Sequence, residues 1–285
     1  MYRGFWVMPT IIFDTSGLNE LARDPESGVL LAGIRSGFRV RLTETNVNEI
    51  SATRNAERRE LLLRLCQRLV NAGDCIRSSQ WILNAMSSRH SADPEGFDWR
   101  QVGVGFQALE EEISRRRFLG NDGVADELRT DNKTTHKEFK ALLKAARAEV
   151  APLTWDGAST ATEVLDLLTV DNSPLWRLAE DIYRYGAGNV AADIRGFVGC
   201  CPPVEATLFA VCVGLYQWGA RRKKQQSVYG AGALDLLMAA YLPYCDWFIT
   251  ADSGQYAALH LLRERAGLRT EITKYSAWKE SILVA

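Results

Sequence analysis

The stretch that decides the fold is GALDLLMAAYLPYCDWFITADSGQ, residues 232–255. Trp247-Phe248-Ile249-Thr250 reads as a strand, and Ser253 to Arg265 has the pattern of a helix after it. Before the strand, Ala233 to Tyr241 reads as an apolar helix that carries one carboxylate, Asp235. Helix, strand and helix in succession indicate a parallel sheet. Thr270 to Thr273 is expected to add a last strand.

The same alternation occupies the other end of the chain. Thr10-Ile11-Ile12-Phe13 is a short β-branched run ending at Asp14, which reads as a buried strand. A helix opens near Ser16-Gly17, and Val29, Leu30, Leu31 and Ile34 mark a second, closed by Gly37. Phe38 to Leu42 alternates as a second strand, helices follow from about Asn46 to Ala72, and Cys75-Ile76 forms a very short third strand. Alternation at both termini implies one sheet closed by both ends of the chain. Residues 1–78 and 227–285 would build it, and residues 79–226, with repeated helical patterns and no convincing strand, would be a helical insertion. Pro174, Pro202 and Pro203 suit first-turn positions of helices there.

Composition narrows the class further. The 285 residues are 47% hydrophobic and 24% charged, ordinary for a globular chain and wrong for disorder or a coiled coil. Thirty-four basic residues against 35 acidic leave a net charge of -1, so any nucleic-acid site must be a local patch. The six cysteines lack the CxxC pairs of a zinc ribbon and read as buried thiols in a reducing compartment. The apolar run Ala206 to Ala220 carries Thr207 and Gln217 and falls short of the ~20 residues of a membrane span, so it reads as a core helix. With no cleavable leader pattern at the N-terminus, the expectation is a soluble, cytoplasmic protein without a membrane.

Four carboxylates stand where such a sheet would use them. Asp14 ends the first strand, Asp252 lies just past the fourth, and Glu49 and Asp235 lie on helices that can point to the same place. Ligands of open parallel sheets bind at the carboxyl ends of strands. Each acid also has a plain structural role open to it. Asp14 and Asp252 can cap the helices that follow, and Glu49 stands three residues after Asn46, the spacing of a capping box, in the first turn of its helix. Asp235 sits among apolar neighbours expected to face the core, where an unpaired carboxylate is expensive. A divalent cation would reconcile all four. Carboxylate oxygens favour Mg²⁺ or Mn²⁺, and the three histidines, His90, His136 and His260, show no zinc-ligand spacing.

Three blocks, IIFDTSGLNEL, ETNVNEISA and the stretch quoted first, resemble the PIN-domain nucleases. The spacing of 17 residues between Asp235 and Asp252 belongs to that resemblance, which covers only the two ends of the chain. It implies a PIN-like (Rossmann-like) α/β fold and a divalent-metal-dependent nuclease, an endoribonuclease hydrolysing phosphodiester bonds. Carried over, Asp14, Glu49, Asp235 and Asp252 would be the catalytic metal ligands, with Ser16 and Thr250 as polar supports. RNA would be the partner, and an antitoxin-like protein partner belongs to many such nucleases, though 285 residues is long for a toxin. The large helical segment departs from the pattern and leaves substrate choice and a homodimer through it open. The competing reading within the family is an inactive PIN-like module that binds RNA or protein.

Other classes fit less well. A haloacid-dehalogenase-like phosphatase would need an acid at position 16, where Ser16 stands, and no GxxxxGK[ST] loop is present for a Walker-type NTPase. No Ser–His or Cys–His arrangement offers a side-chain nucleophile. Basic residues expected to hold nucleic acid are Arg54 and Arg58 near the acids, with Arg59 beside them, and Arg221, Arg222, Lys223 and Lys224 at the end of the long apolar run. Arg115, Arg116 and Arg117 are a further candidate. The alternative for the run 221–224 is a solvated helix end, favourable at a C-terminus.

Overall fold

Strand β1 (Thr10–Phe13) is the axis of the molecule in the computed structural model, which describes residues 8–70, 75–104, 111, 113, 122–150, 161–168, 171, 173–222 and 231–284. β2 (Arg39–Thr43) pairs with it on one side and β4 (Trp247–Thr250) on the other, both parallel. β3 (Cys75–Ile76) lies outside β2 and β5 (Glu271–Lys274) outside β4, giving a five-stranded, all-parallel sheet of order β3-β2-β1-β4-β5. The direction of winding reverses between β1 and β4, which makes the gap beyond their carboxyl ends the topological switch point.

Alternate side chains serve opposite faces, as the pleat dictates. Ile11, Phe13, Val40, Leu42, Cys75 and Ile249 pack on one face against α1 (Thr15–Arg23), α2 (Ser27–Gly37), α4 (Ala56–Leu69) and α13 (Tyr275–Val284). Phe13 meets Trp278 edge-on at 5.1 Å. Ile12, Ile76, Phe248 and Ile272 face the other way, into a second core. There α5 (Ser79–Ala92), α6 (Asp122–Val150), α7 (Ala161–Leu168), α8 (Pro174–Ala187), α9 (Ile194–Cys200) and α10 (Pro202–Arg222) contribute side chains, as does α12 (Ser253–Arg265). Helix α3 (Glu44–Ser51) follows β2 directly. The run expected as a core helix is α10, buried from Val204 to Leu215 at nearly every position.

Three local expectations change. The helix expected from Ala233 to Tyr241 is α-helical only over Ala233–Leu237, α11, and continues as a 3₁₀ segment to Tyr244. Pro243 explains it, because proline disfavours the α conformation in the residue before it and cannot donate a helical bond. The last strand is shifted one residue, to Glu271–Lys274. Five cysteines are buried, but Cys200 is exposed. Among the described residues, no single helix is long and apolar enough to cross a membrane; only α9 and α10 together pass by length and composition, and they are bent by 102°.

Candidate functional site

β1 and β4 deliver their polar ends side by side. The Asp14 N–H donates to the Ile249 carbonyl at 2.9 Å, carrying the pairing one residue past β1. Asp14 caps α1, accepting from the Gly17 N–H at 2.6 Å. Gly17 suits this place because a Cβ there would lie 2.9 Å from the Ile249 carbonyl oxygen. Ser16 completes the bridge between the strands. Its hydroxyl donates to Asp14 at 2.8–2.9 Å and accepts from the N–H groups of Ala251, at 2.8 Å, and Asp252, at 3.1 Å. Ser16, expected as a polar support, is thus hydrogen-bonded to both Asp14 and the backbone at Asp252.

Thr250 is fully buried and lies 3.1 Å from Asp14 Oδ2 and 2.7 Å from Gln255 Oε1. Its single hydroxyl hydrogen serves one acceptor at a time. Gln255, also fully buried, extends its other end to the Asp235 carbonyl at 3.3 Å, linking β4 to α11. Asp252 is exposed and caps α12, accepting from the Gln255 N–H at 2.6 Å.

The two helix acids are placed differently from expectation. Helix α3 begins at Glu44, capped by the Thr43 hydroxyl, which accepts from the Asn46 N–H at 3.1 Å. Glu49 is thus in the second turn and makes no capping box with Asn46. It turns instead to the Thr15 hydroxyl, from which it accepts a short hydrogen bond. Asp235 does not face the core. It is half-buried and reaches back to the Gly232 N–H at 2.6 Å, as an acid in the third position of a helix does. A Cβ at Gly232 would come within 2.9 Å of that carboxylate oxygen.

The acids feel one another. Burial pushes the Glu49 carboxyl up to about 7 against the Thr15 hydrogen bond, and the charges of Asp235 and Asp14 raise it further. Burial likewise pushes Asp14 up to about 6, opposed by its bonds to Gly17, Ser16 and Thr250. Asp235 is raised by burial and by the charge of Asp252, against the Gly232 bond. All four carboxylates therefore share one neighbourhood, and the donors that hold Asp14, Glu49 and Asp235 are neutral. In the conformations seen, no three His, Cys, Asp or Glu side chains among the described residues are gathered tightly enough to hold a metal ion.

The expected basic residues are scattered. Arg58 is held against α1, bonding the Asn19 side chain at 2.7 and 3.1 Å and its carbonyl at 2.9 Å. Arg54 is exposed; Asp126 on α6, held below the usual carboxylate range chiefly by its hydrogen bond to Arg129, also feels the Arg54 charge. Arg59 is buried and donates to the Thr53 carbonyl at 2.7 Å. Arg221 and Arg222 end α10, with side chains outside the described residues, where Lys223, Lys224 and Arg115 to Arg117 also lie.

Sequence reasoning passed over Thr15, Asn46 and Gln255. Asn46 is fully buried, 2.6 Å from the Thr43 hydroxyl; with its amide nitrogen on that side it also donates to the Phe13 carbonyl and accepts from the Thr15 N–H, both at 3.2 Å. It fastens α3, and so Glu49, to the end of β1. A signal for Gln255 existed: Asp252-Ser253-Gly254-Gln255 has capping-box spacing. Comparisons with family models, curated proteins and solved structures return no match to this chain.

Proposed function

We propose that the protein is a PIN-like nuclease, with residues 79–226 as a helical insertion, that hydrolyses phosphodiester bonds in RNA with Mg²⁺ or Mn²⁺. The observation that carries this reading is the shared neighbourhood of Asp14, Glu49, Asp235 and Asp252 beyond β1 and β4, where burial raises the carboxyls of Asp14, Glu49 and Asp235 and neighbouring acids raise those of Glu49 and Asp235 further. Like charges held together in this way favour a bound proton or cation. A donor set of carboxylate oxygens fits Mg²⁺ or Mn²⁺. A cation held by these residues would lower the pKa of a bound water and neutralise charge on the scissile phosphate.

The chain's own groups set up that chemistry. Ser16, Thr250 and the Gly17 N–H hold the Asp14 carboxylate in one orientation. Asn46 anchors α3 so that Glu49 faces the same cleft, and Gln255 fixes α11 to β4, which sets the reach of Asp235. Glu49 and Asp235 would need to turn from Thr15 and Gly232 to become ligands. Turned to the cation, Glu49 would complete its shell or orient the water.

The second reading is an inactive PIN-like module that binds RNA or protein. It draws on each acid's local structural role and on the absence of a gathered ligand set among the described residues. Purified protein incubated with labelled RNA, with and without Mg²⁺ or Mn²⁺, separates the two. Metal-dependent cleavage that Asp14→Asn reduces at least ~100-fold, about 2.7 kcal/mol of barrier, supports the nuclease. Cleavage that survives chelation or the substitution would overturn it.

A further inference from the structure

Helix α6 separates two cavities of opposite character. The larger, about 600 Å³, takes Asp131 and Glu138 from the helix and Asp181 from α8, and no Lys, Arg or His lines it among the described residues. The smaller, about 290 Å³, takes His136, Lys140 and Lys144 from the helix. These three recur every four residues, so they stack along one side of α6. Phosphate would be repelled by the first cavity and drawn to the second.

The smaller cavity has two further properties. Phe139, Leu143 and Leu236 give it apolar walls. Gln217 of α10 also lines it, 5% exposed, and its amide nitrogen finds no hydrogen-bond partner among the described residues. A buried amide left without a partner costs free energy, and a ligand group that satisfies it recovers that cost. Gly232 and Ala233 at the start of α11 and Leu236 within it also line the cavity, so its wall includes the residue next to Asp235.

We propose that this cavity is a base-binding subsite for single-stranded RNA. An unstacked nucleobase enters between Phe139 and Leu236, a carbonyl on its edge accepts from the Gln217 amide, and the adjoining phosphate lies on Lys140 and Lys144. Single-stranded RNA is recognised in this manner, through splayed bases read at their edges and phosphates held by cations. The subsite deepens the nuclease reading, because it would set a strand beside the four acids. It is separable from that reading, because binding here requires no metal.

The test is fluorescence anisotropy of the full chain with a short labelled single-stranded RNA, without divalent metal, across a range of salt. Lys140→Ala with Lys144→Ala should weaken binding roughly tenfold or more and flatten the salt slope by about 0.7 for each phosphate no longer neutralised. Lys140→Arg with Lys144→Arg should keep the slope. Gln217→Leu should weaken binding several-fold at an unchanged slope, with a melting temperature no lower than wild type, because it removes the unpaired amide. Duplex RNA of the same sequence should be insensitive to Gln217→Leu. An unchanged slope in the lysine pair, or single-strand affinity unaffected by Gln217→Leu in a folded protein, overturns the subsite. Binding with these dependences but no cleavage in Mg²⁺ or Mn²⁺ would remove the nuclease reading and leave the subsite standing.

Discussion

The two faces of the sheet are covered by different parts of the chain. Helices that follow the strands closely in sequence, α1, α2, α4 and α13, cover the face of Ile11, Phe13 and Ile249. The face of Ile12, Ile76 and Phe248 depends mainly on helices between β3 and β4, joined by α12. Both cores are dominated by apolar side chains, so the difference is one of connectivity. Short connections bring α1, α2 and α4 to the first face, and α13 closes it from the far end of the chain, with Trp278 against Phe13. The second needs contacts between residues more than a hundred positions apart, whose loop-closure entropy must be met first. The middle helices are thus structural partners of the sheet, beyond any part they take in binding.

The largest test removes one cover. With residues 79–226 replaced by a Gly/Ser linker, Ile12, Ile76, Phe248 and Ile272 are stripped of most of their packing. The product should be insoluble or melt without a cooperative transition. A soluble protein with a sharp calorimetric melt would show that the second face stands alone, and the contrast between the faces would fail.

Matched core truncations sharpen the contrast. Phe13 and Phe248 are 2% and 0% exposed, one on each face. Phe13→Ala and Phe248→Ala should each cost about 3–5 kcal/mol in urea denaturation. Equal costs with unequal kinetics are expected. Phe13→Ala should slow folding more, because α1, α2 and α4 reach its face through short connections, whereas Phe248→Ala should mainly speed unfolding. The reverse partition would contradict that order.

The acids stand at the strand ends where both halves of the chain meet, and they make stability depend on pH. Asp14 and Glu49 hold their protons more tightly folded than unfolded, with values near 6 and 7 against 3.8 and 4.5. Their penalty is absent below the lower pair and complete above the higher, so this part of the stability falls as pH rises through that window. Asp14→Asn removes one such group. Its melting temperature should exceed that of wild type by roughly 5 °C above pH 7 and match it near pH 4. Adding Mg²⁺ or Mn²⁺ at the higher pH should raise the wild type and leave the variant nearly unchanged. A gain for Asp14→Asn that is the same at both pH values would refute the protonation account.

Helix caps give the smallest effects, one on each side. The Asn55 side chain caps α4, accepting from the Arg58 N–H at 2.8 Å, and Ser173 caps α8, accepting from the Leu175 N–H at 3.1 Å. Asn55→Ala and Ser173→Ala should each cost about 1 kcal/mol by the same denaturation measurement. Losses well above ~2 kcal/mol would mean that one helix depends on its cap more than on its packing.

Local pattern by itself determined the strands, since Thr10–Phe13, Cys75-Ile76 and Trp247–Thr250 are apolar runs bounded by polar or turn residues. Parallel pairing followed from strand–helix alternation, and the placing of Asp14 and Asp252 at strand ends followed from position alone. The length of the apolar run and its Gln217 also marked α10 as a core helix. Tertiary structure decided which way the helix acids turn. Asp235 is the exception, because its carboxylate folds back to the Gly232 N–H three residues before it, a local capping contact. Glu49 turns to Thr15 because Thr43 starts α3 earlier than Asn46 would. Lys140, Lys144 and Gln217 come from two helices far apart in the chain, and no local pattern relates them. Side-chain period reports which face a residue occupies; which polar group lies opposite is a long-range contact, set only when the sheet and its covering helices have packed.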